Sequence, residues 1–239
     1  MASTRGVGRI KWAVAAFVAA GLLVAWPAQS ADKPDAAHKA SADSLKKLMI
    51  AFHNYADAHG ELPPAVVVGP DGKPLYSWRV LLLPYLGEKK LFEQFKLDEA
   101  WDGPNNKKLL AKMPKVFNPV AGEAQKSHKT FYQVFVGPET PFTGRVKNKG
   151  PRFPASFPDG TSNTYLVVEA GAAVPWTAPR DLPYDGKKPL PKLGGLFPDG
   201  FHAATADGAV RFYKKGKPSE RTLRFAIMPA DGNVVGDDF

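Results

Sequence analysis

Short polar side chains are concentrated between residues 159 and 164, where the chain reads Asp-Gly-Thr-Ser-Asn-Thr. Carboxylate, hydroxyl and amide oxygens at this density suit a small pocket for an anion or a metal ion, with Glu169 nearby along the chain. The same residue types also suit a turn in which the side chains satisfy backbone groups just before a strand. The turn is the simpler interpretation, and the cluster is still the first candidate for a binding site.

Asp-Gly pairs are spread along the whole chain, and Asp207-Gly208 is one of seven. Carboxylates beside glycines are typical of calcium loops, yet no loop here has the alternating Asp-x-Asp-x-Asp-Gly spacing of such a site. Turn chemistry explains each pair more simply, because aspartate and glycine both favour tight turns.

Three tryptophans lie among prolines and tyrosines and would suit a groove for a sugar or a peptide. Trp78 is expected in the core. Trp176 lies in a proline-rich segment, Ala173 to Lys192, which is predicted to be an irregular excursion, and it is the tryptophan expected to be exposed. The predicted ligand-binding residues are Asp159, Thr161, Ser162, Asn163, Glu169, Trp176 and Asp207.

Catalytic and metal chemistry find little support in the sequence. Ser162 lies in the sequence Gly-Thr-Ser-Asn and not in the Gly-x-Ser-x-Gly motif of a hydrolase nucleophile. The five histidines are scattered, and no spacing to an acidic residue identifies one of them as a catalytic base. The chain has no cysteine and no His-Glu-x-x-His pair. We therefore predict no catalytic residue, no metal ligand and no cofactor.

The first 31 residues read as a secretory signal peptide. Arg5, Arg9 and Lys11 precede an apolar run from Trp12 to Trp26, and small residues follow Pro27. The run is about 15 residues long, shorter than the roughly 20 apolar residues that a membrane span needs. Cleavage is therefore favoured over an uncleaved anchor. This predicts an extracytoplasmic protein, periplasmic or secreted, which touches a membrane only if the segment stays uncleaved.

The net charge of the chain is +9, and removal of the three basic residues in 1–31 leaves +6. A positive charge of this size favours contact with anionic envelope polymers, or serves solubility alone. Nucleic-acid binding is not predicted, because neither a recognition helix nor an aromatic RNA-binding strand accompanies the charge.

One amphipathic helix organises the predicted fold. Leu45, Leu48 and Phe52 recur at helical spacing from Ser41 onward, and Gly60 followed by two prolines ends the helix. Residues 32–40 are expected to form a polar tether, and residues 41–239 a single domain.

Strands and turns dominate the rest of the chain. The clearest signals are a strand over 164–170 and a hairpin centred on Asp207-Gly208. An amphipathic helix from Pro218 to Met228 follows, and a short strand over Asn233 to Val235 is expected at the end.

Several motifs occur in a fixed order along the chain. They include His53-Asn54-Tyr55, Ser77-Trp78-Arg79-Val80, Leu83-Pro84-Tyr85-Leu86, Asp159-Gly160-Thr161-Ser162-Asn163 and Asp207-Gly208-Ala209-Val210. In this order they resemble the bacterial domain-of-unknown-function family 1559, whose members are similar to type IV pilins and pseudopilins. The resemblance runs from Ser41 to Val235. It implies an α+β, pilin-like fold with one N-terminal amphipathic helix packed on an antiparallel β-sheet, long loops and a short C-terminal helix, and it implies no established reaction.

The chain departs from the family pattern in two places. Typical members begin with a prepilin leader, whereas an ordinary signal peptide is predicted here, so filament assembly is not expected. The family also has a histidine nine residues before a C-terminal Asp-Gly, and the corresponding position here is Phe197. His202 lies inside the intervening segment and is not its equivalent.

Taken together, the sequence predicts an exported, non-catalytic, pilin-like module with a structural or interaction role in the cell envelope. Its long loops, above all residues 173–200, would meet an envelope protein or a polysaccharide. The alternative is an envelope carbohydrate- or metal-binding protein that uses the cluster from Asp159 to Glu169, and a hydrolase ranks third.

Overall fold

The computed structural model describes residues 1–2, 32–118, 120, 122–144 and 146–239, and the side chains of 32–35 are not described. The chain divides into two units, Met1–Ala31 and Asp32–Phe239, and all the elements below belong to the second. The predicted signal peptide lies outside the described residues except for the first two. Within the described part, no helix has the length and apolar character needed to cross a membrane.

The first element is a helix, α1, that runs from Asp32 to His59. It begins well before Ser41, so the residues predicted as a polar tether are helical. Alanine and lysine, which are frequent in 32–40, favour helix regardless of the polarity of the segment. Leu45, Leu48 and Phe52 are fully buried on one face, as the spacing predicted. Gly60, at φ +75°, ends the helix in the left-handed conformation that glycine adopts without strain.

A hairpin and a series of short helices follow α1. The hairpin pairs β1 with β2 antiparallel around the turn at 69–72. The elements are β1 (Val66–Val68), β2 (Pro74–Ser77), α2 (Trp78–Leu81), a 3₁₀ helix (Leu83–Leu86), α3 (Lys89–Phe92), two further 3₁₀ helices (Asn106–Lys112 and Lys115–Phe117) and α4 (Glu123–Lys126).

The second half of the chain forms the main sheet. Its strands are ordered β3-β5-β7-β8, and every neighbouring pair is antiparallel. A separate short pair, β4 with β6, is parallel. The elements are β3 (Lys129–Gln133), β4 (Phe135–Val136), β5 (Tyr165–Pro175), β6 (Leu182–Pro183), β7 (Gly200–Thr205), β8 (Val210–Lys214) and α5 (Glu220–Ile227).

The sheet separates two clusters of buried side chains. The first cluster fills the space between the sheet, α1 and the short helices, where the rings of Phe52 and Trp78 lie 4.9 Å apart. The second cluster includes Tyr165, Phe201 and Tyr213 with α5 packed against them. The predicted α+β class, with an N-terminal helix on an antiparallel sheet and a short C-terminal helix, is confirmed.

Two predictions about the second half are wrong. The segment Ala173–Lys192 is not an irregular excursion throughout, because β5 continues to Pro175 and β6 lies within it. Pro175 and Pro183 stand at the ends of strands, where a missing N–H costs little, and the other prolines lie outside the strands. Residues 233–235 form no strand, because that segment has no ladder partner among the described residues.

Candidate functional site

The residues with the most developed polar contacts lie under α1, at the centre of the sheet. Glu169 on β5 is fully buried, and so is Ser41 on α1. Tyr132 on β3 and His202 on β7 are 1% and 3% exposed. Four elements that are distant in sequence therefore bring their polar groups to one place, which we call the Glu169 cluster.

The carboxylate of Glu169 accepts hydrogen bonds from both sides. The hydroxyl of Ser41 donates to Oε1, and the backbone N–H of His202 donates to Oε2 at 2.7 Å. The Nδ1 atom of the His202 ring is 3.2 Å from each carboxylate oxygen. The hydroxyl of Tyr132 lies 2.6 Å from that of Ser41. Burial and the Glu169 carboxylate raise the pKa of Tyr132, so its phenol stays protonated.

The order of these contacts does not match that of a hydrolytic triad. In a triad a histidine stands between the acid and the nucleophile and takes the nucleophile's proton. Here the carboxylate stands between the serine and the histidine, and the hydroxyl of Ser41 is directed at the acid. The side chains are also closed to solvent. The arrangement suits a buried polar anchor that holds α1 on the sheet.

An aromatic group lies next to the Glu169 cluster. The His38 ring stacks on Phe197 with centroids 4.0 Å apart and meets Phe212 edge-on at 4.6 Å. The rings of His38 and His202 are 5.2 Å apart, and His38 Nε2 is 3.6 Å from an oxygen of Asp199. Phe197 is thus a buried contact between the first turns of α1 and the sheet.

A second buried polar group is the ion pair between Arg79 and Asp181, whose side chains are 0% and 1% exposed. Arg79 Nη2 donates to Asp181 Oδ1 at 2.8 Å, and Nε and Nη2 both donate to the carbonyl of Tyr132. The same Oδ1 accepts from Trp78 Nε1 and from the backbone N–H of Val134. Burial raises the pKa of Asp181 and lowers that of Arg79, and their mutual attraction opposes both shifts. The pair joins α2, β3 and the segment before β6.

The predicted cluster at 159–163 forms a turn. The carboxylate of Asp159 accepts from the backbone N–H groups of Asp231 and Gly232 at 2.8 and 3.1 Å, so it fixes the turn after α5. Asn163 donates back to the carbonyl of Asp159. These contacts favour the structural interpretation over a ligand pocket, because one oxygen of Asp159 and the amide of Asn163 already hold backbone groups of the protein.

Some of the predicted ligand-binding residues lie close together in the structure, and others lie apart. The backbone N–H of Asp207 donates to the carbonyl of Thr161, so these two residues meet at one end of the sheet. Asp207 itself accepts from Thr205 and from the N–H of Ala209 within its turn. Ser162 is exposed near them. Glu169 belongs to the buried cluster under α1 instead.

Trp176 is fully buried, so the prediction that it is the exposed tryptophan is wrong. Its ring stacks on Phe117 with centroids 5.5 Å apart, and its Nε1 donates to the carbonyl of Leu110. The neighbouring prolines suggested a loose loop, but an indole has a large apolar area that is stabilised by burial. It fills the core between the sheet and the 3₁₀ helices.

Sequence reasoning missed Ser41 and His202 as members of a site, although one signal was present. Ser41 stands on the same helical stripe as Leu45, Leu48 and Phe52, where a polar residue faces the core and needs a buried partner. Glu169 likewise interrupts an apolar strand. Within the described residues, no group of three or more histidines, aspartates and glutamates is placed to hold a metal ion.

The class of protein that these observations define is an α+β domain in which a buried carboxylate anchors an N-terminal helix to an antiparallel sheet. A family described as protein of unknown function (DUF1559) matches residues 40–147, which confirms the predicted family over that segment. The match spans most of α1 and continues past β4, and it does not reach Phe197, whose place in the C-terminal motif stays a prediction. No curated protein and no solved structure is significantly similar to the chain.

Proposed function

We propose that this protein is an exported, non-catalytic, pilin-like module with a structural or interaction role in the cell envelope. The observation that carries the proposal is that the carboxylate of Glu169 is hydrogen-bonded inside the protein. A carboxylate buried beside a serine and a histidine is where chemistry would be expected, yet its oxygens are occupied by Ser41 and His202. A buried carboxylate with these hydrogen bonds positions α1 and is not accessible to a substrate.

The fold and the family match support the same proposal. A long helix lying on an antiparallel sheet is the arrangement that the pilin-like resemblance implied, and the family assignment itself names no reaction. The N-terminal residues that would direct export lie outside the described part, so the extracytoplasmic location rests on their sequence pattern.

The surface proposed for a partner is narrower than the sequence suggested. Deleting the whole of Ala173–Lys192 would remove Trp176 and Tyr184, which are buried, and the Asp181 carboxylate that pairs with Arg79. Such a deletion would unfold the domain and could not test binding. The narrower surface is 185–192, where Lys187, Lys188 and Lys192 are exposed.

The experiment is photocross-linking in cells that express the full chain, combined with fractionation. A photoreactive amino acid replaces Lys187 or Lys192, and a matched variant carries it at Lys108, an exposed lysine in another part of the chain. We expect the protein in an extracytoplasmic fraction, with one discrete cross-linked species from positions 187 and 192 and none from position 108.

A cytoplasmic location would contradict the proposed export. Equal labelling from all three positions, or none from any, would contradict a specific interaction surface. A hydrolytic activity that Ser162→Ala abolishes would contradict the non-catalytic role.

A further inference from the structure

A groove of about 650 Å³ opens between the segment 190–201 and the segment 215–223, which follows β8 and includes the first turn of α5. Its apolar lining includes Leu190, Leu193, Phe201 and Leu223, which we call the floor of the groove. Phe201 belongs to the second buried cluster, and the three leucines pack against that cluster and remain partly exposed. The volume is within the range of pockets that take up small ligands or short peptide segments. We call it the leucine groove.

The rim of the leucine groove carries a positive charge. Lys215 and Lys217 line it, are exposed and form no ion pair among the residues that the structure describes. The acidic residue of the rim, Glu220, is paired with Arg224 at 2.7 Å, so its charge is compensated. An occupant with carboxylates next to an apolar part would therefore be complementary in charge as well as in polarity.

The carboxylate of Asp238 already occupies the beginning of α5. It accepts from the N–H of Ser219 and from the hydroxyl of Thr222, at 2.6 Å each. These contacts, with a contribution from Lys217, lower the pKa of Asp238. The start of the helix is thus not available to an incoming anion, which leaves Lys215 and Lys217 as its contacts.

The shape of the leucine groove selects among anionic occupants. None of its four apolar side chains is fully exposed, and Phe201 is only 6% exposed. A membrane surface is bound by apolar side chains that protrude into it. A concave floor instead receives apolar side chains that protrude from a partner, as in peptide recognition by grooves.

We propose that the leucine groove binds a protein segment in which apolar side chains are followed by acidic residues. The apolar side chains would enter the floor, and the carboxylates would meet Lys215 and Lys217. The inference rests on the proposed interaction role, and it names the chemistry of the partner.

The test uses the full domain from Asp32 to Phe239 and two synthetic hexapeptides, one of leucine and aspartate and one in which lysine replaces aspartate. Nuclear magnetic resonance follows the backbone amides during each titration. We expect the acidic peptide to shift the signals of Gly194, Gly200 and Gly216, which line the groove. The basic peptide should leave them unchanged.

Variants at the rim test the charge contacts without disturbing the core. Both lysines are exposed, so the double variant Lys215→Gln, Lys217→Gln should fold as the parent does. We expect it to bind the acidic peptide roughly fivefold more weakly, as for the loss of two exposed charge pairs. The matched control, Lys107→Gln with Lys108→Gln, should bind as the parent does.

Three results would overturn the proposal: equal binding of both peptides, shifts confined to residues outside the groove, or no binding of the acidic peptide. Decanoate that shifted the same glycines while the peptide did not would assign the groove to a lipid-like carboxylate instead. Because the test is made with purified protein, its failure is distinguishable from a failure of export or of cross-linking in cells.

Discussion

The hydroxyl of Ser41 in α1 donates a hydrogen bond to the carboxylate of Glu169 in β5, across 128 residues of chain. The other carboxylate oxygen accepts from the backbone N–H of His202 in β7. One buried carboxylate therefore holds the helix and two neighbouring strands in register with one another. A buried carboxylate without such partners would be strongly destabilising. Any other position of α1 on the sheet would leave Glu169 without the hydroxyl of Ser41, so this contact favours one position of the helix.

Ser41→Ala tests this anchor. The substitution removes one partner of Glu169 and one of Tyr132 while adding no bulk, and both groups remain buried. We expect the free energy of unfolding to fall by about 2 kcal/mol, the cost of leaving buried polar groups unpaired. Urea denaturation measures it. Ser127→Ala, which alters an exposed serine that follows α4 and donates to the carbonyl of Glu123, is the control and should change little. If both variants lowered the free energy of unfolding by the same amount, the hydrogen bond of Ser41 would contribute no more than an exposed one.

Elements with a strong local pattern could be predicted from the sequence. The buried face of α1 follows from the spacing of Leu45, Leu48 and Phe52, and the β7–β8 hairpin follows from alternation around Asp207-Gly208. The beginning of α1 was predicted too late, because polarity was given more weight than helix propensity in 32–40.

The candidate site could be predicted only in part. Glu169 was identified as a site residue, but with the wrong neighbours. Its partners are 33 and 128 residues away in sequence, and only the sheet order brings them together. The burial of Trp176 was missed for a related reason. Its contact with Phe117 depends on how a 3₁₀ helix packs on the end of β5, which no local pattern indicates.

The ion pair of Arg79 and Asp181 predicts strong coupling between two positions. Asp181→Leu leaves a buried guanidinium without its counter-charge, and we expect the free energy of unfolding to fall by about 3–5 kcal/mol. The double variant Arg79→Met, Asp181→Leu should lose less than the sum of the two single variants, because neither charge is then left alone. It should still be less stable than the parent, since Trp78 Nε1 and the N–H of Val134 lose their acceptor.

A double-mutant cycle by chemical denaturation measures this coupling. The control pair is Lys73 and Asp71, which is exposed, and its cycle should give a coupling of at most about 1 kcal/mol. Additive effects at Arg79 and Asp181 would contradict the interpretation that the two charges act as one buried unit.

Asp159→Ala distinguishes the turn from the ligand pocket at 159–163. The variant removes the acceptor of two backbone N–H groups, and we expect a loss of about 1 kcal/mol because these groups are only partly buried. Thermal unfolding with and without calcium completes the test. We expect calcium to leave the melting temperature of both proteins unchanged. A calcium-dependent rise in the parent that disappears in the variant would restore the metal-binding alternative.

Buried tyrosines predict a loss of stability in alkaline solution. Burial raises the pKa of Tyr55 to about 12 and also raises the pKa values of Tyr76, Tyr132 and Tyr165 above the ordinary 10.0. The folded state therefore holds these protons more tightly than the unfolded state does. Below pH 10 both states are protonated and stability is unaffected. Above pH 10 the unfolded state loses its protons first, so the free energy of unfolding should fall as the pH rises toward 12.

Urea denaturation at a series of pH values from 9 to 12, with phenolate absorbance as a second signal, measures this decline. Tyr76→Phe provides the matched variant, because the Tyr76 ring is buried and its raised pKa arises from burial alone. The variant should unfold like the parent near pH 9 and lose stability less steeply above pH 10, since one proton fewer is released on unfolding. Parallel curves for the two proteins would mean that Tyr76 ionises equally in both states, which would contradict its burial in the first cluster of buried side chains.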